Sequence, residues 1–216
     1  FLMYFITYDI EYCEAAGHNE YMNAIFRFLD INQNKENGFW GNDLTTQSIY
    51  AKAYGAAHIL LFYDYYKKEI PYADKIIDNC LKMHSRNGLI QTVEGGACED
   101  YDVIEIYFRC LKQTDYRKEE ILNNLHNMKK TLLRDRKRDG SFSYRARSKN
   151  GIQRFLDVNK KKQEYKYSSW DYMETPIYLS DTWGTFFRHL SLKMIDKMLQ
   201  GKTDYNSAPL PSWGYI

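Results

Sequence analysis

The chain has 216 residues, 44% of them apolar, with 30 Lys and Arg set against 28 Asp and Glu. That length fits one domain, or one domain with a long insertion, and that apolar share supports a sizeable core, which excludes disorder for most of the chain. A net charge of +2 with no face-long basic stripe excludes nucleic acid as an expected partner, and the basic clusters LLRDRKRDG and NKKKQEYK read as solvated surface.

In chain order, FLMYFITYDIEYCEA is apolar at nearly every helical contact position. NEYMNAIFRFLD opens with an Asn cap and sets Met22, Ile25, Phe26 and Leu29 on one face. TTQSIYAKAYGAAHILLFYDYYKKE is the longest helical segment and is expected to end at Pro71. YADKIIDNCLKMH groups Ile76, Ile77, Cys80 and Leu81, and DYDVIEIYFRCLKQ is almost wholly apolar after its start. RKEEILNNLHNMKKTLLRD places Ile121, Leu122, Leu125, Met128 and Leu132 on one stripe opposite its charges. The segment 145–180 is long, polar and aromatic, and Tyr165, Tyr167, Trp170 and Tyr172 within it suit a lid, a sugar platform or a packed insertion. SDTWGTFFRHLSLKMIDKML is again apolar, and SAPLPSWGYI reads as an extended tail.

The second, fourth and sixth helices are amphipathic, whereas the third, fifth and seventh are apolar nearly all round. A helix apolar on every side is covered on every side, so the alternation predicts inner and outer layers. After each amphipathic helix comes the same device: a polar turn, a glycine, one spacer and a large apolar residue. The glycines are Gly38, Gly88 and Gly140, about 50 residues apart, a spacing typical of internal repeats. Asn-Gly or Asp-Gly permits the turn, and Trp40, Ile90 or Phe142 is then placed to plug the gap between neighbouring hairpins.

These features resemble the α/α-toroid repeats of terpenoid cyclases and protein prenyltransferases. Gln33, Gly38 and Trp40 are similar to their Gln…Gly-x-Trp motif, and GGACEDYD is similar to the Gly-Gly turn that enters an inner helix of the prenyltransferase β-type chains. The likeness covers roughly residues 20–145 and the helix near 181–199. It implies an all-α fold of alternating inner and outer helices, a toroid or an arc of one, with about seven helices. Residues 1–200 would form a single domain with an insertion loop at 145–180, followed by a tail at 201–216. Seven helices make three and a half hairpins, fewer than a closed toroid holds, so a missing segment or self-association would complete the barrel. The chain begins with Phe, which reads as a fragment or a processed form.

In such a barrel the inner-helix starts face the cavity. They carry Asp43, Thr45 and Thr46; Glu99, Asp100 and Asp102; and Ser180, Asp181 and Trp183. Each acid can simply cap its helix and favour the positive end of the dipole by about 0.3–1 kcal/mol, and Ser180 and Asp43 read as ordinary caps. As a group, Glu99, Asp100, Asp102 and Asp181 are the candidate catalytic acids, because converging carboxylates can hold a proton between them. Deeper in the helices, His58, Arg109 and Arg188 line up by eye and would ring an anionic group, although Glu105 and Arg109, at i and i+4, can also pair with each other. Trp40, Trp170 and Trp183 are candidate substrate contacts.

The resemblance implies an isoprenoid or polyprenyl-linked substrate. A glycan-active α/α barrel (hydrolase, lyase or epimerase) and a non-catalytic interaction scaffold are the alternatives. Cys98 reads as a small core residue rather than a zinc ligand, and no metal or other cofactor is expected. The expected partner is a small-molecule, lipid-linked or glycan ligand. None of Cys13, Cys80, Cys98 and Cys110 forms a C-x-x-C pair, which points to a reducing, cytoplasmic setting, and no apolar run is long enough to span a membrane.

Overall fold

The computed structural model describes residues 2–13, 17–41, 49–90, 96–144 and 180–202. Among these residues every element is a helix: α1 (Leu2–Tyr12), α2 (His18–Asn32), α3 (Ile49–Tyr65), α4 (Ala73–Lys82), α5 (Ala97–Cys110), α6 (Lys118–Asp135) and α7 (Thr182–Leu199). The described residues contain no strand; His84 and Ile90 form an isolated antiparallel bridge. None of the described helices is long and apolar enough to cross a membrane.

Boundaries differ from expectation in three places. α2 begins at His18, so Asn19 lies inside it, and the cap position is Gly17 at φ 86 with no side-chain cap. α3 stops at Tyr65, short of Pro71, because Lys67 turns the chain at φ 52. The cap of α7 is Asp181 rather than Ser180.

α5 is the centre of the packing, with α3 and α7 on either side of it. α4 packs on α5 and α3, and α6 packs on α7. α2 reaches α3 through Phe26, whose ring meets Tyr63 and Tyr66 edge-on, and through Asp30, which accepts a hydrogen bond from Tyr63. α1 lies against α2 and touches α3 through Tyr4–Phe62 and a Thr7–Tyr66 hydrogen bond. The apolar helices thus neighbour one another and the amphipathic ones cover them. In α5 every residue from Asp100 to Cys110 is buried. Val103, Ile104, Ile106 and Phe108 are almost wholly withdrawn from water, each contributing about 1.5–3 kcal/mol. On α4 Ile76, Ile77 and Cys80 face inward, and on α6 Ile121, Leu125, Met128 and Leu132 do so; all seven are fully buried.

The three turn glycines all have positive φ: 77° at Gly38, 84° at Gly88 and 87° at Gly140. In each turn the preceding Asn or Asp accepts from the backbone N–H two residues on: Asn37 from Phe39, Asn87 from Leu89, Asp139 from Ser141. Two of the glycines also seat the turn on the next covering helix. A Cβ on Gly38 would lie 2.6 Å from Ile76 Cγ1, and one on Gly88 would lie 2.7 Å from the Asn124 carbonyl oxygen. Gly140 meets only the side chain of Arg136 among the described residues.

The turn carbonyls are held in a related way. Gln33 Nε2 donates to the Gly38 oxygen at 2.8 Å and to the Pro71 oxygen at 2.9 Å. His84 Nδ1 donates to the Gly88 oxygen at 2.5 Å. His189 Nε2 bonds the Gly140 oxygen at 3.1 Å. Gln33 and His84 therefore do the same work at the same place in successive turns.

Candidate functional site

Of the acids that the sequence marks at the start of α5, Asp100 and Asp102 are buried and Glu99 is half-buried, and a buried carboxylate must be paired. Asp100 finds partners. One oxygen accepts from the Ile90 backbone N–H at 2.7 Å, and the other forms an ion pair with Arg188, which is 1% exposed. Arg188 also donates to the Tyr144 carbonyl at 3.1 Å. This cluster ties the second turn, α5, the third turn and α7 together. Asp181 is likewise occupied: its oxygens accept from Gly184 N at 2.5 Å and Tyr144 N at 2.8 Å, which makes it the cap of α7.

Glu99 accepts the Tyr144 hydroxyl at 2.7 Å and the Cys98 thiol at 3.2 Å. Burial first, and then the charge of Glu99, raises the pKa of Tyr144. Gly96 has an ordinary extended backbone, yet a Cβ there would overlap both the Tyr144 ring and Glu99. The glycine at the mouth of α5 thus makes room for this contact.

Asp102 opens onto a pocket. Between α3 and α5 lies a small recess lined by Ala57, His58, Leu61, Tyr101, Asp102, Glu105 and Arg109, with room for about one water molecule. Asp102 and Glu105 are both buried and stand three residues apart on one face of α5. Glu105 accepts from the Tyr101 hydroxyl and pairs with Arg109. Arg109 pairs in turn with Asp64 at 2.7 Å, and Asp64 also holds Lys112. His58 stands at the rim with its side chain open to water, only partly shielded by its neighbours. Removal of water by its neighbours lowers its pKa, and the charge of Glu105 opposes that shift. One turn earlier on α3, the Tyr54 hydroxyl is buried with no hydrogen-bond partner among the described residues. Burial, followed by the charges of Glu99, Asp100 and Asp102, raises its pKa.

The structure therefore brings together His58, Asp102 and Arg109 from the expected set around the recess, and adds Tyr101 and Glu105; Tyr54 lies one turn away on α3. It does not bring Arg188 to them. Arg188 lies early in α7 and Arg109 at the end of α5, each with its own buried carboxylate, so the two do not converge on one anion. Trp40 is wedged inside the first hairpin, its indole N–H donating to the Leu29 carbonyl at 2.8 Å and its ring tilted on Tyr63. Trp183 is 40% exposed and meets Phe187 edge-on. Trp170, Asp43, Thr45, Thr46, Tyr165, Tyr167 and Tyr172 lie outside the described residues. Tyr54 had one usable signal: it is four residues before His58 and so shares its helix face. Tyr144 had none, since its contact with Glu99 spans 45 residues.

The four cysteines are free thiols; Cys80 and Cys110 are buried, which pushes both up in pKa, Cys110 to about 12. No cluster of three or more His, Cys, Asp or Glu among the described residues is arranged to hold a metal ion. Comparison with protein-family models, with curated proteins and with solved structures finds no match to this chain.

Proposed function

We propose that the chain is an arc of an α/α toroid whose inner helices wall a substrate chamber, and that its α3–α5 face performs proton transfer on an isoprenoid or polyprenyl-linked substrate. The observation that carries this reading is the placement of Asp102, a buried carboxylate, on a pocket shared with His58, Tyr101 and the Glu105–Arg109 pair. A general acid works best where water is scarce and nearby dipoles are fixed. Here Tyr101 and Arg109 hold Glu105, and His58, with its pKa lowered, is neutral at neutral pH and able to relay a proton. The recess admits about one water, which suits a bound water that passes the proton on; the substrate would lie along the α3–α5 face beside it.

The test is calorimetric titration with farnesyl diphosphate, followed by mass spectrometry of the mixture. Wild type is expected to bind it and release altered product. Asp102→Asn should bind it and leave it unchanged. Tyr54→Phe should leave binding unchanged and the fold as stable or more stable by about 1 kcal/mol, because a buried hydroxyl with no hydrogen-bond partner among the described residues is removed. Binding of a neutral oligosaccharide in place of the prenyl diphosphate would transfer the site to the glycan reading. Unchanged ligand binding, turnover and stability in Asp102→Asn would remove that residue from the mechanism.

A further inference from the structure

Arg109 is 9% exposed and its guanidinium is shared between two helices. One terminal nitrogen donates to Asp64 on α3 at 2.7 Å, and the other donates to Glu105 on α5. The third nitrogen, Nε, is also buried, and it has no hydrogen-bond partner among the described residues. A guanidinium keeps its charge at every ordinary pH, and a buried N–H of a charged group left without an acceptor is costly. Arg109 also lines the recess between α3 and α5, together with the carboxylates of Asp102 and Glu105. One wall of the recess therefore offers a donor and another offers acceptors.

The size and charge of the recess limit what can answer that N–H. There is room for about one water molecule. An anion would meet two carboxylates, and a cation would meet the guanidinium. A neutral group of one oxygen atom that both accepts and donates suits all three side chains. We infer that the recess is a binding site for a single water, which accepts from Arg109 Nε and donates to Asp102 and Glu105. About three polar partners is the usual number for a buried water. Arg109 is then a positioning residue. By taking up one lone pair of the water, it turns both hydrogens away from itself and leaves the second lone pair for a proton from Asp102. A proton that leaves Asp102 for the water is matched by one that leaves the water for the substrate, so the water ends as it began and Asp102 ends as a carboxylate. This use of the water rests on the proton-transfer reading above; the site itself rests on the recess and the Nε–H.

Nitrogen-15 NMR of the full chain tests this, with water as the probe. The Arg109 Nε–H resonance is assigned through bonds from its own backbone. In wild type it is expected to show a cross-relaxation peak to water with the sign of a long-lived contact. Its proton is expected to exchange at least about tenfold more slowly than that of the exposed Arg138. Ala57→Val fills the recess from α3 and should abolish the water peak. The wild-type spectrum decides the matter even where that variant does not fold. A wild-type Nε–H with no water peak overturns the inference, and so does a peak that survives at full strength in folded Ala57→Val. Farnesyl diphosphate separates this site from the proposed chemistry. A water peak in a wild type that leaves the diphosphate unaltered supports the site and removes the chemistry, whereas turnover with no water peak removes the site alone.

Discussion

Asp100 and Arg188 form a buried ion pair, 2% and 1% exposed, whose other bonds reach Ile90 and Tyr144. Removing one partner strands a charge in the core. Asp100→Asn or Arg188→Met is therefore expected to cost about 3–5 kcal/mol in urea unfolding, and the double variant should recover part of that loss. His84 makes a pH-dependent contribution. Its Nδ1 donates to Gly88 and its Nε2 accepts from the buried Tyr107 hydroxyl at 2.9 Å. Burial lowers its pKa, so folding favours the neutral ring. The stabilisation is complete above the unfolded value of about 6.5 and is lost as pH falls through the folded value. Between about pH 7 and pH 5 the wild-type urea midpoint should fall more steeply than that of His84→Gln, which keeps the turn bond in the manner of Gln33.

At the level of elements, the glycine turns separate two costs that usually come together. An alanine at Gly140 meets only the left-handed backbone penalty, about 1–2 kcal/mol, with Arg136 able to swing aside. An alanine at Gly88 meets that penalty and also the α6 backbone, which cannot swing aside, adding about 1–3 kcal/mol. Thermal unfolding of Gly88→Ala and Gly140→Ala should rank them in that order. The three turns were readable in the sequence because Gly after Asn or Asp is a local signal. The equivalence of Gln33 and His84 was not, because two unlike side chains reach the same carbonyl from the same helix end. The acids of α5 were legible as a group. Their division into brace, hydrogen-bond acceptor and pocket wall was not, since the partner of Asp100 is 88 residues away and that of Glu99 is 45 away.

Across the whole molecule, protection from solvent is graded. α5 is enclosed from Asp100 to Cys110, whereas α1 leaves Leu2, Phe5, Tyr8 and Tyr12 more than half exposed. Hydrogen exchange in dilute solution should find the α5 amides opening only with global unfolding and those of α1 opening locally, by a much smaller free energy. The all-helical, repeat-like character was legible from the helical periodicity and the spaced glycine turns, and the enclosure of α5 from its apolar circumference; α3 and α7, expected to be covered on every side, instead keep His58, Trp183 and Phe186 exposed. The fine position of the helix ends was not legible, since left-handed residues such as Lys67 and Tyr72 carry no glycine to announce them.

The seating of Gly38 and Gly88 on the helix one hairpin further along has a consequence for how such a chain can grow. No seat depends on how many others exist, so copying or deleting a complete hairpin within the gene leaves every remaining seat intact. Lengthening by tandem duplication would then demand no fresh solution to the problem of filling the interior, only a suitable cover for whichever hairpin comes first.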